Sequence, residues 1–307
     1  MTSVETQSVA SLESEVRGTL LRDEPMANHT SWRVGGNADY FFVPADEEDL
    51  RQVLANTPET LDLHWIGLGS NLLVRDGGIR GMVICTTKGL GQLHVDDSGV
   101  LNAQAGATCA KVARQTVRAG FTGAEFLAGV PGTFGGALAM NAGAFGGETW
   151  ERVTAIRCCD RKGTLIEPAA SDVNWGYRNV ELSSEWCILS ATMQLDKSTD
   201  SPEQGQSRIR QLLRQRGESQ PVQSANAGSV FRNPENDYAA RLLEAGGLKG
   251  TTIGDAEYST KHANFIINRG RATASDIEQL IQLGQEMIAD KFGVQLQPEV
   301  RIVGIAT

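Results

Sequence analysis

The sequence lacks an apolar run of the roughly 18 residues that a membrane-spanning helix needs, and it lacks any excess of basic residues. Lys and Arg number 28 against 37 Asp and Glu, so the net charge is −9. Binding of nucleic acid by bulk electrostatics needs a basic surface, so this class of function is not expected. The first 16 residues are polar and acidic and do not have the pattern of a signal peptide. We therefore expect a cytoplasmic protein without a membrane span.

Several motifs of catalysis and nucleotide binding are also missing. Residues 67–72 begin as Gly-x-Gly, but Leu72 stands where the dinucleotide fingerprint needs glycine. There is no Walker A sequence and no Gly-x-Ser-x-Gly nucleophile elbow. The four histidines have no metal-ligand spacing, so no metal site is expected. Five cysteines without a Cys-x-x-Cys pair favour ordinary buried thiols in a reducing compartment.

Glycine, by contrast, is abundant, with 34 of 307 residues, and much of it lies in two loops. Residues 67–71 and 129–136 can each present consecutive backbone N–H groups to an anion. The second loop leads into a helix of small residues, whose N-terminus favours phosphate. Together the two loops are typical of a site for one diphosphate nucleotide cofactor. The alternative is that both are plain tight turns.

The order of predicted elements indicates an α+β fold with about two domains. Strands dominate up to about residue 198, with helices over 46–54 and after Thr108. A polar stretch at 197–202 marks the expected boundary, and helices over 201–216, 237–245 and 275–291 follow. Short strands are predicted at 264–267 and 299–303. Residues 1–19 are predicted to form an N-terminal arm, and residues 203–307 a C-terminal domain.

Some polar residues occur in settings that suggest chemistry. Arg178 lies among aromatic residues, Ser229 follows a turn sequence, and Glu299 begins a predicted strand. Each also has an ordinary structural interpretation, as an ion-pair arginine, a turn hydroxyl and a strand-end acid. The three positions are far apart in the sequence, and the residue types alone do not indicate that they form one site. The C-terminal third contains four basic residues near glycines or turns: Arg232, Lys249, Lys261 and His262. We expect them either to bind a phosphorylated ligand or to form a solvated surface.

Eight segments in order resemble one family, the UDP-N-acetylenolpyruvoylglucosamine reductases (MurB type) in their short, type II form. The segments are 28–36, 67–74, 129–136, 140–147, 176–178, 227–234, 261–268 and 297–302. The resemblance covers about residues 20–304. It departs from the common pattern at Trp32, Phe134 and Arg232, which keep the size class or charge of the usual residues.

The resemblance implies a fold and a reaction. The fold is an FAD-binding region of the vanillyl-alcohol-oxidase (PCMH) type over 20–198, in α+β subdomains of about 20–90 and 91–198, followed by the substrate domain over 203–307. The reaction passes hydride from NADPH through FAD to the enolpyruvyl ether of UDP-N-acetylglucosamine and gives UDP-N-acetylmuramate. This step belongs to peptidoglycan precursor synthesis, and so to cell wall biogenesis, cell shape and division. No nucleic-acid partner is implied, and an oligomer is not required.

The resemblance also assigns residues. Arg178 and Glu299 match positions that stabilise an enolate-like intermediate, with Glu299 protonated or sharing a proton, and Ser229 matches the proton donor to carbon. The FAD contacts would be Arg33, Gly67, Leu68, Gly69, Ser70, Asn71, Leu72, Gly129, Val130, Pro131, Gly132, Gly135, Gly136, Asn141, Ala142 and Gly146. The substrate contacts would be Tyr177, Arg232, Asn233, Lys249, Lys261 and Asn264.

Three other functions stay open from the residues. The first is a different FAD enzyme on the same fold, such as an oxidase of alcohols or sugars, against which the segment from Ser229 to Pro234 argues. The second is a nucleotide-sugar-binding protein without flavin, against which the intact loops at 67–72 and 129–136 argue. The third is an acidic α+β domain without a ligand.

Overall fold

A computed structural model describes residues 16–307, as a mixture of six α-helices and twenty strands over that range. The helices are α1 (Glu47–Asn56), α2 (Cys109–Arg118), α3 (Phe134–Ala139), α4 (Pro202–Ser219), α5 (Ala239–Gly246) and α6 (Ala274–Phe292). The first ten strands are β1 (Thr19–Pro25), β2 (Asn37–Val43), β3 (Leu63–Ile66), β4 (Leu72–Val74), β5 (Ile79–Cys85), β6 (Leu93–Val95), β7 (Val100–Gln104), β8 (Phe121–Thr122), β9 (Gly143–Ala144) and β10 (Gly147–Glu148). The others are β11 (Val153–Cys159), β12 (Leu165–Ile166), β13 (Asn174–Gly176), β14 (Asn179–Glu181), β15 (Cys187–Gln194), β16 (Asp196–Lys197), β17 (Thr252–Ile253), β18 (Ala256–Tyr258), β19 (Ile266–Asn268) and β20 (Arg301–Val303).

The helices begin and end at the signals that the sequence carries. The Asp46 side chain accepts from the backbone N–H of Asp49 and so caps α1. At α6, Thr273 and Asp276 form a reciprocal capping box. Gly293 ends that helix with φ at 68°, a left-handed conformation that glycine adopts without strain.

Internal contacts divide the chain into two compact units, each made of separate chain segments. The first unit holds the described residues up to Arg22 together with Tyr40–Gly67 and Gly81–Leu213. Its main sheet has the strand order β12-β11-β15-β7-β6 and is antiparallel. A four-stranded sheet of order β1-β2-β5-β3, in which β3 and β5 are parallel, has most of its residues here.

The second unit holds Asp23–Asp39, Leu68–Arg80 and Arg214–Thr307. It contains an antiparallel sheet of order β17-β18-β19 and a parallel pair of β20 with β4. Its core gathers Trp32 and Leu73 with the apolar faces of α5 and α6. The Trp32 indole is fully buried and donates to the carbonyl of Ile266 at 2.7 Å, so its one polar atom is satisfied.

The cysteines confirm the prediction of ordinary buried thiols. All five are free and buried. Cys158 and Cys159 are neighbours on β11 and point into two different apolar clusters, as the two-residue period of a strand requires. Burial raises the pKa of Cys109 and of Cys158 to about 12, so both stay protonated near neutral pH.

The elements confirm the predicted α+β class, although some boundaries differ. The last two predicted strands begin two residues late, at Ile266 and Arg301, because Asn264 and Glu299 bind neighbouring segments outside a regular ladder. Residues 1–15 of the predicted arm lie outside the described residues. The backbone N–H groups of Arg17 and Gly18 donate to Asp49, so the described end of that segment is held. Within residues 16–307, none of the helices has both the length and the apolar character of a bilayer-spanning helix.

Candidate active site

The two predicted glycine loops meet at one contact in the first unit. A Cβ on Gly67 would lie 2.3 Å from Oγ1 of Thr133, so only glycine fits at this point. The same hydroxyl accepts from the backbone N–H of Gly136 at 3.3 Å and caps α3. The first loop therefore begins against the group that starts the helix of the second loop.

The helix start itself is closed to an anion. The N–H groups of Phe134 and Gly135 donate to the carbonyls of Ala107 and Ala105, each at 2.8 Å. With Gly136 bound to Thr133, the first three N–H groups of α3 all have acceptors inside the chain. The sequence-based interpretation of this helix end as a phosphate site is therefore not supported.

The rest of the second loop is tightly packed. Gly129 is buried, and a Cβ there would lie 2.3 Å from the ring of Phe145. Val130 donates its N–H to the carbonyl of Leu127. The Gly132 carbonyl accepts from Cys109 at 3.0 Å, while Pro131 is exposed between them. The first unit thus holds this loop by its own backbone.

Residues 68–72 belong to the second unit. Gly69 has φ at 60°, and a Cβ there would lie 2.0 Å from the carbonyl oxygen of His29. Leu68 is 46% exposed, and Ser70 is half-buried. Leu72 begins β4, paired with Arg301 of β20. Arg33, another predicted FAD contact, is exposed with φ at 59°.

Two glycines have open space where a side chain would stand. Gly136 is exposed on α3, and a Cβ there would meet only Oγ1 of Thr133, at 3.6 Å. A glycine inside a helix costs about 1 kcal/mol relative to alanine, so its presence needs a reason. At Gly146, the space that a Cβ would occupy is open. These two backbones can be approached closely by a bound group, which fits a flavin nucleotide.

The segment around Arg178 is irregular. Arg178 connects β13 to β14 with φ at 52°. Its guanidinium donates to the carbonyls of Asn141 at 3.2 Å and Gly143 at 2.9 Å. The ring of Tyr177, which is 49% exposed, lies 5.1 Å from the guanidinium carbon. The arginine is therefore held at its charged end by two carbonyl groups and an aromatic face.

Ser229 and Glu299 are brought together within the second unit. The N–H of Glu299 donates to the carbonyl of Val230 at 2.8 Å, so the two residues lie on adjacent segments. Both are half-buried. Before Ser229, Gly228 has φ at 77° and donates its N–H to the side chain of Asn226. This turn and the neighbouring segment fix the backbone on both sides of Ser229.

Two predicted contact residues use their amides to hold this pair instead. Asn264 is buried, and its side chain both accepts from the N–H of Phe231 at 3.0 Å and donates to the carbonyl of Phe231 at 2.8 Å. Asn71 donates to the carbonyl of Glu299 at 3.0 Å, and its own carbonyl accepts from Arg301. The Asn264 amide thus binds the chain through one N–H and its oxygen, and its role as a substrate contact stays a prediction.

The remaining predicted substrate residues are spread over the second unit. Lys249 pairs with Glu244 at 2.7 Å, and Lys261 donates to the carbonyl of Gly217. Asn233 accepts from the N–H of Ala239 at 3.1 Å, at the start of α5. Arg232 keeps a buried Nε without a hydrogen-bond partner among the described residues.

His262 lies near this basic group. Burial, and then the charge of Lys249, lower the pKa of its imidazole. The Nδ1 atom is buried without a hydrogen-bond partner in the described part of the chain. The side chain is therefore neutral near pH 7 and adds no charge to the group.

One glycine that the sequence analysis did not assign also has open space beside its backbone. Gly176 in β13 has nothing within 4 Å of a Cβ position, and its carbonyl accepts from Asn141. The signal in the sequence is a glycine inside a short strand immediately before Tyr177 and Arg178.

A surface hollow of about 450 Å³ on the main sheet of the first unit contains none of the predicted site residues. Its one cation, Arg157, is paired with Glu47 and Glu167. The hollow therefore has no free charge to offer a ligand and is not assigned as a site.

Comparison with known proteins identifies the family to which the chain belongs. Residues 38–168 match an FAD binding domain, and residues 220–303 match the C-terminal domain of UDP-N-acetylenolpyruvoylglucosamine reductase. A reductase of that name from Methylococcus capsulatus is 50% identical over 301 residues, which cover 98% of each chain. One from Thiobacillus denitrificans is 46% identical over 305 residues, covering 94% of this chain and 93% of its own.

A solved structure agrees with these matches. The crystal structure of the Thermus caldophilus reductase (MurB) superposes with a TM-score of 0.78 at 29% identity, covering 93% of this chain and 98% of that one. The predicted fold class, an FAD-binding region followed by a C-terminal α+β domain, is confirmed. The chain belongs to the UDP-N-acetylenolpyruvoylglucosamine reductase family.

Proposed function

We propose that this protein is an FAD-dependent oxidoreductase that reduces the enolpyruvyl ether of UDP-N-acetylglucosamine to UDP-N-acetylmuramate, with NADPH as the hydride donor. The observation that carries the proposal is the backbone bond from Glu299 to the carbonyl of Val230, which places the Glu299 segment beside the residue that follows Ser229. A hydroxyl residue and a carboxyl residue on neighbouring segments suit a reaction that must both stabilise charge and deliver a proton.

FAD, when bound, supplies the redox chemistry that takes hydride from NADPH and passes it to the substrate. The residues proposed to hold it are those of the two glycine loops, with Arg33, Ala142 and Gly146. Gly136 and Gly146 offer open backbone for close approach. The amide of Asn141 uses both of its N–H groups inside this chain, so we do not count it as a side-chain contact to FAD, whereas Asn71 uses one N–H on the Glu299 carbonyl and stays a proposed contact.

Arg178 is proposed to stabilise the charge that develops on the substrate. Addition of hydride to the terminal vinyl carbon leaves an electron pair on the adjacent carbon, delocalised into the carboxylate. A guanidinium is always charged and offers several N–H donors to an oxygen anion. Two of its donors are used by Asn141 and Gly143, which fixes the orientation of the group before the charge appears.

Ser229 is proposed to complete the reaction as the proton donor. Its Oγ–H gives a proton to the carbon next to the carboxylate, and the serine regains one from water. A hydroxyl is a weak acid, but a carbanion is a base strong enough to accept from it. Glu299 would hydrogen-bond to the same enolate-like group, as Arg178 does.

The basic residues of the second unit are proposed to bind the UDP portion, together with Tyr177 and Asn233. Arg232, Lys249 and Lys261 carry the charge that a diphosphate needs. The predicted domains, a cytoplasmic location and roles in cell shape and division belong to the same proposal. The substrates imply no nucleic-acid partner.

The experiment is an anaerobic absorption spectrum of the purified protein, recorded before and after NADPH and then after the UDP-enolpyruvyl sugar. We expect a yellow protein that bleaches with NADPH and regains colour with the sugar. Recovery of colour only on admission of air would contradict the proposal and favour an oxidase. A colourless protein that FAD does not reconstitute would contradict it more completely.

A further inference from the structure

Asn141 uses all of its polar groups inside the first unit. It is fully buried, with φ at 48°. Its amide nitrogen donates to Glu148 and to the carbonyl of Gly176, each at 2.9 Å. Its amide oxygen accepts from the N–H of Trp150 at 3.1 Å. A buried amide with these partners has no donor left for a ligand.

These bonds converge on Arg178 from two sides. The bond to Gly176 fixes the backbone two residues before the arginine. The backbone carbonyl of Asn141 accepts from the Arg178 guanidinium at 3.2 Å. One residue therefore binds both the backbone before Arg178 and the tip of its side chain. The arginine backbone also has positive φ, a conformation that persists only where the surroundings impose it.

We propose that Asn141 is a positioning residue for Arg178, and not a contact to FAD. The inference rests on the proposed function, in which Arg178 stabilises developing charge. An arginine side chain carries about 2 kcal/mol of rotamer entropy, so its benefit in the transition state depends on being ordered beforehand. Asn141 supplies that order through two bonds to the same segment.

The test compares Asn141→Gly, Arg178→Lys and the double variant as FAD-loaded enzymes. Glycine accepts φ at 48° without strain, so this change removes the amide and keeps the backbone conformation. Loss of orientation of about 1 Å can cost about 10²-fold in rate, and we expect Asn141→Gly to slow reoxidation by the enolpyruvyl substrate on that order. Reduction by NADPH and the affinity for FAD, measured by flavin fluorescence, should stay near those of the parent protein.

The double variant decides whether the two residues act together. If Asn141 works through Arg178, the double variant should be about as slow as Arg178→Lys alone. If the rate losses of Asn141→Gly and Arg178→Lys multiply in the double variant, the inference is overturned. Weakened FAD binding by Asn141→Gly would also overturn it. If Arg178→Lys leaves reoxidation unchanged, the proposed role of Arg178 itself fails, and the inference fails with it.

Thr57→Val is the control. Thr57 is also buried in the first unit and donates to the carbonyl of Val53 at 2.7 Å, at the end of α1 and outside the segments that hold Arg178. Its effect on reoxidation should multiply with that of Arg178→Lys. If Asn141→Gly does not fold, Asn141→Asp combined with Glu148→Gln keeps the shape, the net charge and the tolerance of positive φ, while it removes the donor to the Gly176 carbonyl. The same comparison with Arg178→Lys then applies.

Discussion

The Arg178 segment of the first unit and the Ser229–Glu299 pair of the second unit hold their functional groups in different ways. Arg178 lies on a connection with positive φ, and its long side chain is fixed at the guanidinium end. Ser229 and Glu299 are half-buried, and Glu299 donates its backbone N–H to the carbonyl of Val230, the residue after Ser229. A long cation needs its tip held, whereas a short hydroxyl is positioned once its backbone is fixed.

One feature is common to both regions. In each, a buried asparagine satisfies backbone groups that no helix or sheet provides for: Asn141 in the first unit and Asn264 in the second. An amide side chain carries both donors and an acceptor, so it can replace a missing strand partner. Irregular backbone beside the proposed catalytic residues is therefore stabilised by amide side chains in both units of this protein.

The largest expected effect separates the chemistry of Ser229 from its packing. Ser229→Ala removes the proposed proton donor, and loss of general acid catalysis typically costs about 10²- to 10⁴-fold. We expect this loss in reoxidation by the enolpyruvyl substrate and near-normal reduction by NADPH. Stopped-flow absorbance of each half-reaction measures both. An equal loss in the two half-reactions would contradict the proton-donor role.

The next effect tests whether Asn264 stabilises the segment that follows Ser229. Asn264→Leu leaves the N–H and carbonyl of Phe231 without the amide, and an unsatisfied buried group costs about 1–3 kcal/mol. We expect stability to fall by an amount in the upper part of that range, read from urea unfolding. Gln279→Ala, an exposed amide on α6, is the control and should change stability by less than about 0.5 kcal/mol. Equal effects of the two changes would show that Asn264 is not needed.

A smaller effect distinguishes a glycine that is needed for close packing from one that is proposed to lie against FAD. Gly67→Ala places a methyl group 2.3 Å from Oγ1 of Thr133 and should lower stability by about 1–3 kcal/mol. Gly136→Ala meets no close atom and should raise stability by up to about 1 kcal/mol while weakening FAD binding. Thermal unfolding of the FAD-free protein and flavin titration measure the two. Tighter FAD binding by Gly136→Ala would contradict the assignment.

The smallest effect concerns pH. Because burial lowers the pKa of His262, the unfolded chain binds a proton before the folded chain does. Stability should therefore fall as pH drops below about 6.5 and level off below the folded pKa. His262→Gln should flatten this decline, measured by urea unfolding at several pH values. Burial also lowers the pKa of His64, so part of the decline should remain in His262→Gln. His94→Gln, at an exposed site on β6, is the control, and a decline in His262→Gln as steep as in the control would refute the effect.

The sequence predicted the elements with local signals well. The helix expected over 275–291 is α6, and Ser201 accepts from the N–H of Gln204 as the predicted cap of α4. The predicted strands at 264–267 and 299–303 were displaced, because their first residues bind segments that are distant along the chain. Helix caps depend on neighbours three residues away, and strand ends depend on the partner that arrives.

For the site, the sequence identified the family and the residues proposed to carry the chemistry. It did not reveal what the asparagines bind. Asn71 and Glu299 are 228 residues apart, and Asn264 and Phe231 are 33 apart. No local pattern distinguishes an amide that faces a ligand from one that faces a distant backbone.

Local signals along the chain were thus enough for the family, the α+β class, the helices that carry their own caps and the glycines of two loops. Folding in three dimensions settled which glycines serve packing and which leave open space, as Gly67 and Gly136 illustrate. It also gave the first N–H groups of α3 acceptors within the chain. It directed the amides of Asn141 and Asn264 to backbone groups of other segments. The difference arises because hydrogen-bond partners and steric room are set by segments that approach from far along the chain, whereas propensity and capping act between neighbours.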